Sequence, residues 1–246
     1  ENALNEIDNV CKNLISSLES KEYQVVALSE YGITPVNNPI HVNRELRRLG
    51  YIKTRNENEL ELLDAGASNA FAVCDHQIAH IYVKNKDHIP KIKSHFIKQT
   101  GISHAITKAE QNKFKINHSR AGDLVLISNK ESWFTYYYWE DDKKAPDFAR
   151  TVAIHNKPGY DPVELFFDPN KKLIYPRIAL KLIKKKMGFR TLMDLIPLDA
   201  SLVKGSHGQL QLLDNEKPIY IGSMNDSESL CPTDVFNIIK SELLNN

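Results

Sequence analysis

The pattern of hydrophobic and polar positions at the start of the chain predicts a helix followed by a strand. Apolar residues recur every three or four positions from Leu4 to Leu18, which predicts an amphipathic helix packed by one face on a sheet. The apolar run Val25–Leu28 follows and is typical of a strand buried in a parallel sheet. Glu30 and Tyr31 come next, and ligands in open α/β sheets bind outside the carboxyl ends of the strands. We therefore expect these two side chains at a functional edge.

The same reading predicts further strands and helices along the rest of the chain. The predicted strands are 51–55 and 60–63 (a hairpin), 69–75, 78–83, 123–128, the aromatic run 134–139, and 218–221. The predicted helices are 42–49, 89–99, 178–187 and 232–244. Residues 140–169 are rich in Pro, Asp and Gly but also carry aromatic residues, which predicts an ordered irregular segment.

Composition narrows the function classes. The chain has 246 residues, of which 41% are hydrophobic, so it is long enough for one large α/β domain or two small ones. Lys and Arg number 32 against 31 Asp and Glu, and this balance gives no overall attraction to nucleic acid or membrane. No apolar run is long enough to span a bilayer. The three cysteines lie far apart and suit a reducing compartment, so we expect a cytoplasmic protein without a disulfide framework.

Two groups of residues are candidates for a metal-binding or phosphate-binding site. His207 lies in the sequence Gly205-Ser206-His207-Gly208, where a sharp bend lets an imidazole project as a metal ligand, although a simple polar turn gives the same pattern. His155, Lys157 and Asp161 share a loop and could converge on a phosphate. Alternatively, Asp161 holds that loop by a bond to the backbone.

Two further histidines belong to a weaker candidate. His76 lies in the sequence Asp75-His76-Gln77, between two predicted strands, and His80 lies in the second of these strands. In a strand their even separation places both on one face but well apart, so a structural role is favoured over a shared metal. The chain contains no P-loop, GxSxG or GxGxxG sequence, which leaves kinase, serine hydrolase and Rossmann functions without their signatures.

The order of several segments resembles the type I phosphodiesterase/nucleotide pyrophosphatase family of the alkaline phosphatase superfamily. Residues 25–32, VVALSEYG, are similar to the family's strand that ends in Ser-Asp-His-Gly. Residues 118–127, HSRAGDLVLI, followed by Trp133, are similar to the start of another family strand. Residues 205–208 resemble its Gly-x-His-Gly ligand loop, while 218–222 and 233–236 resemble its next core strand and closing helix.

The resemblance implies an α/β sandwich with a central, mostly parallel sheet. On this reading, the chain 1–246 is the C-terminal part of the domain, with an inserted, cap-like β-rich segment at about 55–170. The family holds divalent metal ions at the strand ends, and zinc is preferred here over manganese or magnesium. His207 matches the family's late histidine ligand, and Glu30 and Tyr31 occupy the positions of its Asp-His ligand pair.

The activity that the resemblance implies is hydrolysis of phosphodiester or pyrophosphate bonds by a Thr or Ser nucleophile. That nucleophile and the early aspartate ligands lie N-terminal to the segments matched here, so we expect the N-terminal half of the same protein as a partner. A small phosphodiester or nucleotide substrate would contact His155, Lys157 and Asp161. Because Glu30-Tyr31 replaces Asp-His, the alternative is a binding or scaffold protein that keeps the fold without a full metal site. A nucleic-acid partner, suggested by the basic residues 184–190, is disfavoured by the neutral net charge.

Overall fold

The structure is a computed structural model, and it describes residues 2–210, 212–222 and 229–245. The chain divides into two compact units. The terminal unit consists of Glu1–Gly32 and Lys217–Asn246, and the central unit of Ile33–Glu216.

The described residues form helices and mostly short strands. The α-helices are α1 (Asn2–Glu19), α2 (Val42–Arg48), α3 (Ile89–Phe96), α4 (Ile174–Lys186) and α5 (Asp234–Asn245). The strands are β1 (Ala27–Leu28), β2 (Thr34–Pro35), β3 (Asn38–Ile40), β4 (Thr54–Glu57), β5 (Leu60–Leu63), β6 (Ala70–Asp75), β7 (Ile78–Val83), β8 (Ile102–Thr107), β9 (Leu124–Ser128), β10 (Ser132–Phe134), β11 (Gly205–Ser206) and β12 (Tyr220–Ile221). None of the helices in the described part of the chain combines the length and hydrophobicity that a membrane span requires.

In the terminal unit, the structure differs from the predicted buried strand at 25–28. Strand β1 is two residues long and pairs antiparallel with β12, so Ala27 faces Ile221. The predicted buried strand of a parallel sheet is therefore wrong, and Leu28 is 54% exposed. No residue of α1 is buried, because a sheet of two very short strands cannot cover an 18-residue helix.

The central unit is built on a four-stranded sheet in the order β6-β7-β9-β8. All its pairings are antiparallel, with Asp75 opposite Ile78 and Ile81 opposite Leu124. The predicted central, mostly parallel sheet is not found among the described residues. The physical reason is local: β6 and β7 are joined by a two-residue turn, which can connect only antiparallel strands. Parallel pairing occurs between β3 and β10, where Ser132 faces Asn38.

The core lies between this sheet and the helices α2 and α3. Helix α2 packs on β6 and α3 packs on β8, which buries Leu46, Ile92 and Phe96 completely. The hairpin β4–β5 pairs as predicted, with Thr54 opposite Leu63. The division into a matched domain and an inserted segment at about 55–170 stays a prediction.

The aromatic run 134–139 is buried as predicted, but strand β10 ends at Phe134 and the remaining residues are irregular. Polar side chains of α2 replace the missing ladder bonds. Asn43 donates its amide to the carbonyl oxygens of Ala72 (2.8 Å) and Tyr136 (3.2 Å). Arg44 Nε donates to the carbonyl oxygen of Trp139 at 2.6 Å. Buried backbone groups need such partners, and here the helix supplies them.

Candidate active site

Two imidazoles lie against each other in the central unit. The ring centroids of His76 and His207 are 3.9 Å apart, and the ring planes are inclined by 35°. His76 is in the turn between β6 and β7, and His207 directly follows β11. Ser206 and Tyr160 also contact His76. We call the four residues the imidazole corner.

Strand β11 positions His207. It pairs antiparallel with β2, so Ser206 faces Thr34. Gly205 allows a close approach, because a Cβ there would lie 2.7 Å from the Cγ2 atom of Ile33. The loop that carries His207 is therefore packed tightly against the neighbouring strand.

Gln77 joins the histidine turn to the histidine loop. Its backbone N–H donates to the carbonyl oxygen of His207 at 2.9 Å. Its fully buried side-chain amide donates to the carbonyl oxygens of Lys130 and Ser132, both at 3.1 Å, and its Oε1 accepts from Thr34 Oγ1 at 3.2 Å. The two elements that carry the imidazoles are consequently held as one piece.

The environment of His76 keeps its ring neutral. Nδ1 lies 3.1 Å from the Oγ atom of Ser206, which is buried. Burial, and then the neighbouring His207, lower the pKa of His76 to about 4. A neutral imidazole retains one nitrogen lone pair at pH 7, which is the form that binds a metal ion.

Tyr160 reaches the corner from the irregular segment after the aromatic run. Its ring centroid lies 4.8 Å from that of His76, and its backbone N–H donates to the carbonyl oxygen of Cys74 at 2.9 Å. The preceding Gly159 has φ +149°, and a Cβ there would lie 2.9 Å from the Cβ of Tyr136. The glycine thus lets this segment lie directly on the end of β6.

The predicted substrate residues have different surroundings. Lys157 Nζ pairs with Asp161 Oδ2 at 2.8 Å and with Glu164 Oε1 at 2.7 Å, and the Lys157 and Asp161 side chains are 1% and 2% exposed. Asp161 Oδ1 also accepts from the backbone N–H of Val163 at 3.2 Å, which matches the alternative in which it holds the loop. His155 is exposed on the same segment. The substrate-binding roles of these residues stay predictions.

The other two predicted metal-site residues belong to the terminal unit. Glu30 is exposed and Tyr31 is 44% exposed. The preceding Ser29 is tied to Ile219, since its backbone N–H donates to the Ile219 carbonyl oxygen at 3.0 Å. The metal-ligand roles of Glu30, Tyr31 and His207 stay predictions.

The donor set fits a divalent metal ion in kind. Among the described residues, no group of three or more His, Cys, Asp or Glu side chains is arranged to hold a metal. The imidazole corner nevertheless brings two imidazoles into contact, and imidazole nitrogen is a ligand type that zinc takes readily. A tetrahedral zinc site takes four ligands, so these two imidazoles alone would not complete one.

A cleft of about 450 Å³ opens elsewhere in the central unit, and sequence reasoning did not identify it. His41, Arg44, Tyr137 and Arg150 are among its lining residues. His41 stacks on Tyr137 with centroids 5.7 Å apart, and its Nδ1 lies 2.7 Å from the Oγ1 atom of Thr135. The sequence offered no signal for this cleft, because its lining comes from segments far apart in the chain.

Comparison with known proteins gives one family and several similar solved structures, two of which are described below. The family model for type I phosphodiesterase/nucleotide pyrophosphatase matches residues 1–161, a range that includes Glu30, Tyr31 and His76 and ends before His207. No curated protein matches the chain.

Both related structures are crystal structures of phosphonoacetate hydrolase from Sinorhizobium meliloti 1021. The complex with phosphonoformate is 14% identical, with a TM-score of 0.47, and the match covers 92% of this chain and 43% of that one. The complex with phosphonoacetate is 15% identical, with a TM-score of 0.37, and the match covers 50% of this chain and 31% of that one. The chain therefore spans less than half the length of these proteins. Because the family model matches well over half of its residues, the chain belongs to the type I phosphodiesterase/nucleotide pyrophosphatase family.

Proposed function

We propose that this chain is part of a metal-dependent phosphohydrolase that cleaves phosphodiester or pyrophosphate bonds. The observation that carries the proposal is the pair of adjacent imidazoles, one of them on the loop predicted to supply a metal ligand. Membership of the family supports the reaction class. The nucleophile, as a Thr or Ser from an N-terminal half of the protein, and a cytoplasmic location belong to the same proposal.

In this proposal the chain's own residues bind and orient the reacting groups. His207 supplies a nitrogen ligand, and its loop is held by the bond from the Gln77 backbone N–H. A bound divalent ion stabilises negative charge on a phosphoryl oxygen and on the attacking or leaving oxygen. Tyr160, 40% exposed beside the pair, offers a phenol on the substrate side.

Glu30 and Tyr31 differ in how well their side chains can bind a divalent metal ion. A carboxylate oxygen is a normal ligand for a divalent ion, so Glu30 is proposed as a ligand. A phenol ordinarily titrates near pH 10 and is a poor ligand at neutral pH. We therefore expect Glu30→Ala to lower metal affinity by roughly 10-fold or more, whereas Tyr31→Phe lowers it much less. Equal effects of the two substitutions on zinc affinity would contradict this division.

The direct test is His207→Ala in the full-length protein. We expect loss of bound metal and at least a roughly 100-fold loss of bis(p-nitrophenyl) phosphate hydrolysis, since a ligand matters more than its outer partners. His118→Ala, which changes an exposed histidine, is the matched control and should keep both properties. Metal content and hydrolysis unchanged in His207→Ala would overturn the proposal. A wild-type protein that binds no metal and hydrolyses nothing would instead favour the scaffold alternative suggested by Glu30-Tyr31.

A further inference from the structure

We propose that helix α4 (Ile174–Lys186) binds the surface of a membrane that contains anionic phospholipids. In this proposal an apolar strip along the helix enters the layer below the headgroups, while the lysines at its edges stay among the headgroups. The inference goes beyond the proposed function and does not depend on it, because no residue of α4 belongs to the imidazole corner.

The first observation is that α4 is amphipathic but leaves its apolar side chains exposed. No residue of the helix is buried. Its partly covered side chains recur along one face and are Ile174, Ile178 and Lys181. The large apolar side chains on the rest of its surface, and the first residue after it, are more than half exposed: Tyr175, Leu180, Leu182, Ile183 and Met187. We call these five residues the apolar strip. A contiguous exposed apolar surface of this kind marks an interaction site.

The second observation is the charge beside the apolar strip. Residues 174–190 contain six basic residues and no acidic residue, which gives this segment a formal charge of +6. Arg177 and Lys184 follow one edge of the strip at helical spacing, and Lys185 begins the other edge. The near-neutral balance of the whole chain therefore hides a strongly basic surface at this helix.

These charges are only partly neutralised. Lys181 pairs with Asp194, and Arg190 pairs with Asp147 at 2.7 Å. In the described part of the chain, no carboxylate pairs with the three successive lysines 184–186. Long basic side chains lay their stems over neighbouring apolar surface and keep the charged end in the polar layer. Lysines at the edges of the strip therefore suit a layer of lipid headgroups.

The third observation is a cleft of about 470 Å³ on the basic side of the helix. Four cationic side chains are among those that line it: Arg177, Lys181, Lys184 and Arg190. Asp194 is the only carboxylate among the described lining residues, and it is already paired with Lys181. The cleft therefore has an excess of positive charge, which suits the phosphate and carboxylate of a phosphatidylserine headgroup.

The length of α4 fits a position on the membrane surface and not across it. Its 13 residues rise about 20 Å, whereas the hydrocarbon core of a bilayer is about 30 Å thick. A helix with an apolar face and a face rich in lysine and arginine lies in the plane of the interface, with the apolar face buried in the boundary between headgroups and acyl chains. Its basic residues add attraction to anionic lipids.

Two other occupants match only one part of this surface. A nucleic acid would pair its phosphates with the lysines and leave the apolar strip in water. A second copy of the chain would cover the strip but would bring two strongly basic segments together. An anionic bilayer has negative charge at its surface and hydrocarbon beneath, so it matches both parts at once.

The experiment measures cosedimentation of the full-length protein with vesicles. Wild type should bind vesicles of phosphatidylcholine and phosphatidylserine in a two-to-one ratio and should not bind vesicles of phosphatidylcholine alone. The combined variant Lys184→Gln, Lys185→Gln and Lys186→Gln should bind on the order of 100-fold more weakly, because each basic residue near an anionic surface contributes about 5-fold. Combining Ile183→Gln with Met187→Gln should weaken binding at least roughly 10-fold.

Each of these variants has a matched control. Lys91→Gln, Lys98→Gln and Lys113→Gln together remove the same charge from exposed lysines outside α4. Val152→Gln with Ile154→Gln removes two exposed apolar side chains outside α4. Both controls should bind the anionic vesicles as wild type does. All the replaced side chains are exposed, so the variants should keep the wild-type fold, which circular dichroism checks.

Met187→Trp gives a second readout that leaves the charges unchanged. The native Trp133 and Trp139 are fully buried, so their emission should not respond to vesicles. On binding to anionic vesicles, the emission of Met187→Trp should move to shorter wavelength and should be quenched by lipids with brominated acyl chains.

The proposal is overturned if wild type does not bind the anionic vesicles, or if both α4 variants bind them as well as their controls do. Binding that depends on the lysines alone, with Met187→Trp unquenched, would show adsorption without insertion and would also overturn it. The same holds if DNA or RNA binds in place of the vesicles and this binding is lost in the lysine variant. Equilibrium sedimentation tests the second copy: a dimer that dissociates in Ile183→Gln with Met187→Gln would assign the strip to that contact and overturn the proposal.

Discussion

At the scale of single residues, His41 shows how burial creates a pH dependence. Burial, and then the nearby Arg44, lower its pKa to about 4, while Asp142 acts in the opposite direction. The unfolded chain binds a proton near pH 6.5 and the folded chain does so only near pH 4. Between these values the unfolded state is favoured by protonation, so stability is lost as the pH falls. We expect the free energy of unfolding of wild type to fall by about 3 kcal/mol from this residue between pH 7 and pH 4.

The measurement is urea unfolding of wild type and His41→Gln at pH 7 and pH 4. The variant should show a pH-dependent loss smaller by about 3 kcal/mol, because glutamine cannot be protonated. His155→Gln is the control, since that imidazole is exposed and should leave the pH dependence as in wild type. An identical pH dependence in wild type and His41→Gln would contradict the prediction.

Gly159 gives a second residue-scale prediction. Its φ of +149° and the 2.9 Å that would separate a Cβ from the Cβ of Tyr136 leave no room for alanine. We expect Gly159→Ala to lower the free energy of unfolding by about 2 kcal/mol. Gly66→Ala is the control, because a Cβ there would meet its nearest atom at an ordinary 3.4 Å. Equal denaturation midpoints for the two variants would refute this account of the segment.

Single residues also show what sequence can and cannot predict about a site. His207 was identifiable because glycines flank its loop on both sides. For His76 a structural role was predicted, and its contact with the distant His207 loop could not be predicted, because nothing local shows that this hairpin turn meets that loop. For Lys157 and Asp161 the residue types allowed both a phosphate contact and an internal ion pair. The structure shows a buried ion pair between the two side chains, and a sequence does not state burial for a loop; the phosphate contact stays a prediction.

At the scale of elements, the β6–β7 turn and the β11 loop act as one piece through Gln77. Gln77→Leu would remove the amide that donates to the carbonyl oxygens of Lys130, which is partly buried, and of Ser132, which is buried. Each such loss costs about 1–3 kcal/mol, so we expect a fall of about 3 kcal/mol in the free energy of unfolding. Thermal and urea unfolding check the value, with Gln99→Leu, at a partly exposed amide, as the control. A stability loss no larger than that of the control would show that the Gln77 side chain does not stabilise this region.

Elements with a strong local pattern were predictable, and those that depend on distant partners were not. Helical periodicity placed α2 and α3 within a few residues, and the hairpin β4–β5 was placed by its turn. Residues 135–139 look like a strand because they are aromatic, yet their carbonyl oxygens bond to the side chains of α2. The four successive apolar residues 25–28 are typical of a core strand in a parallel sheet. In the structure, β1 pairs antiparallel with the short strand β12 instead. A run of apolar residues indicates that a segment tends to be buried, but it does not identify the strand with which the segment pairs.

At the scale of the whole molecule, the hydrophobic cores and the exposed apolar surface are unevenly divided between the units. The clusters of buried hydrophobic residues lie within 36–203, inside the central unit. In the terminal unit α1 exposes Leu4, Ile7 and Leu14, and no residue of this helix is buried. Because burial of apolar area is the main source of stability, the two units should differ in local stability.

Hydrogen exchange measures this difference directly. Strand β9 is buried at all five residues, so its amides should open only by global unfolding. The amides of α1 can exchange without global unfolding, so we expect them to exchange at least roughly 1,000-fold faster than those of β9. Exchange is recorded on the unmodified chain at neutral pH, with strand β5, most of whose residues are intermediate in burial, as an internal reference. Protection of α1 equal to that of β9 would mean that its apolar face is covered in solution, and the assignment of stability to the central unit would then fail.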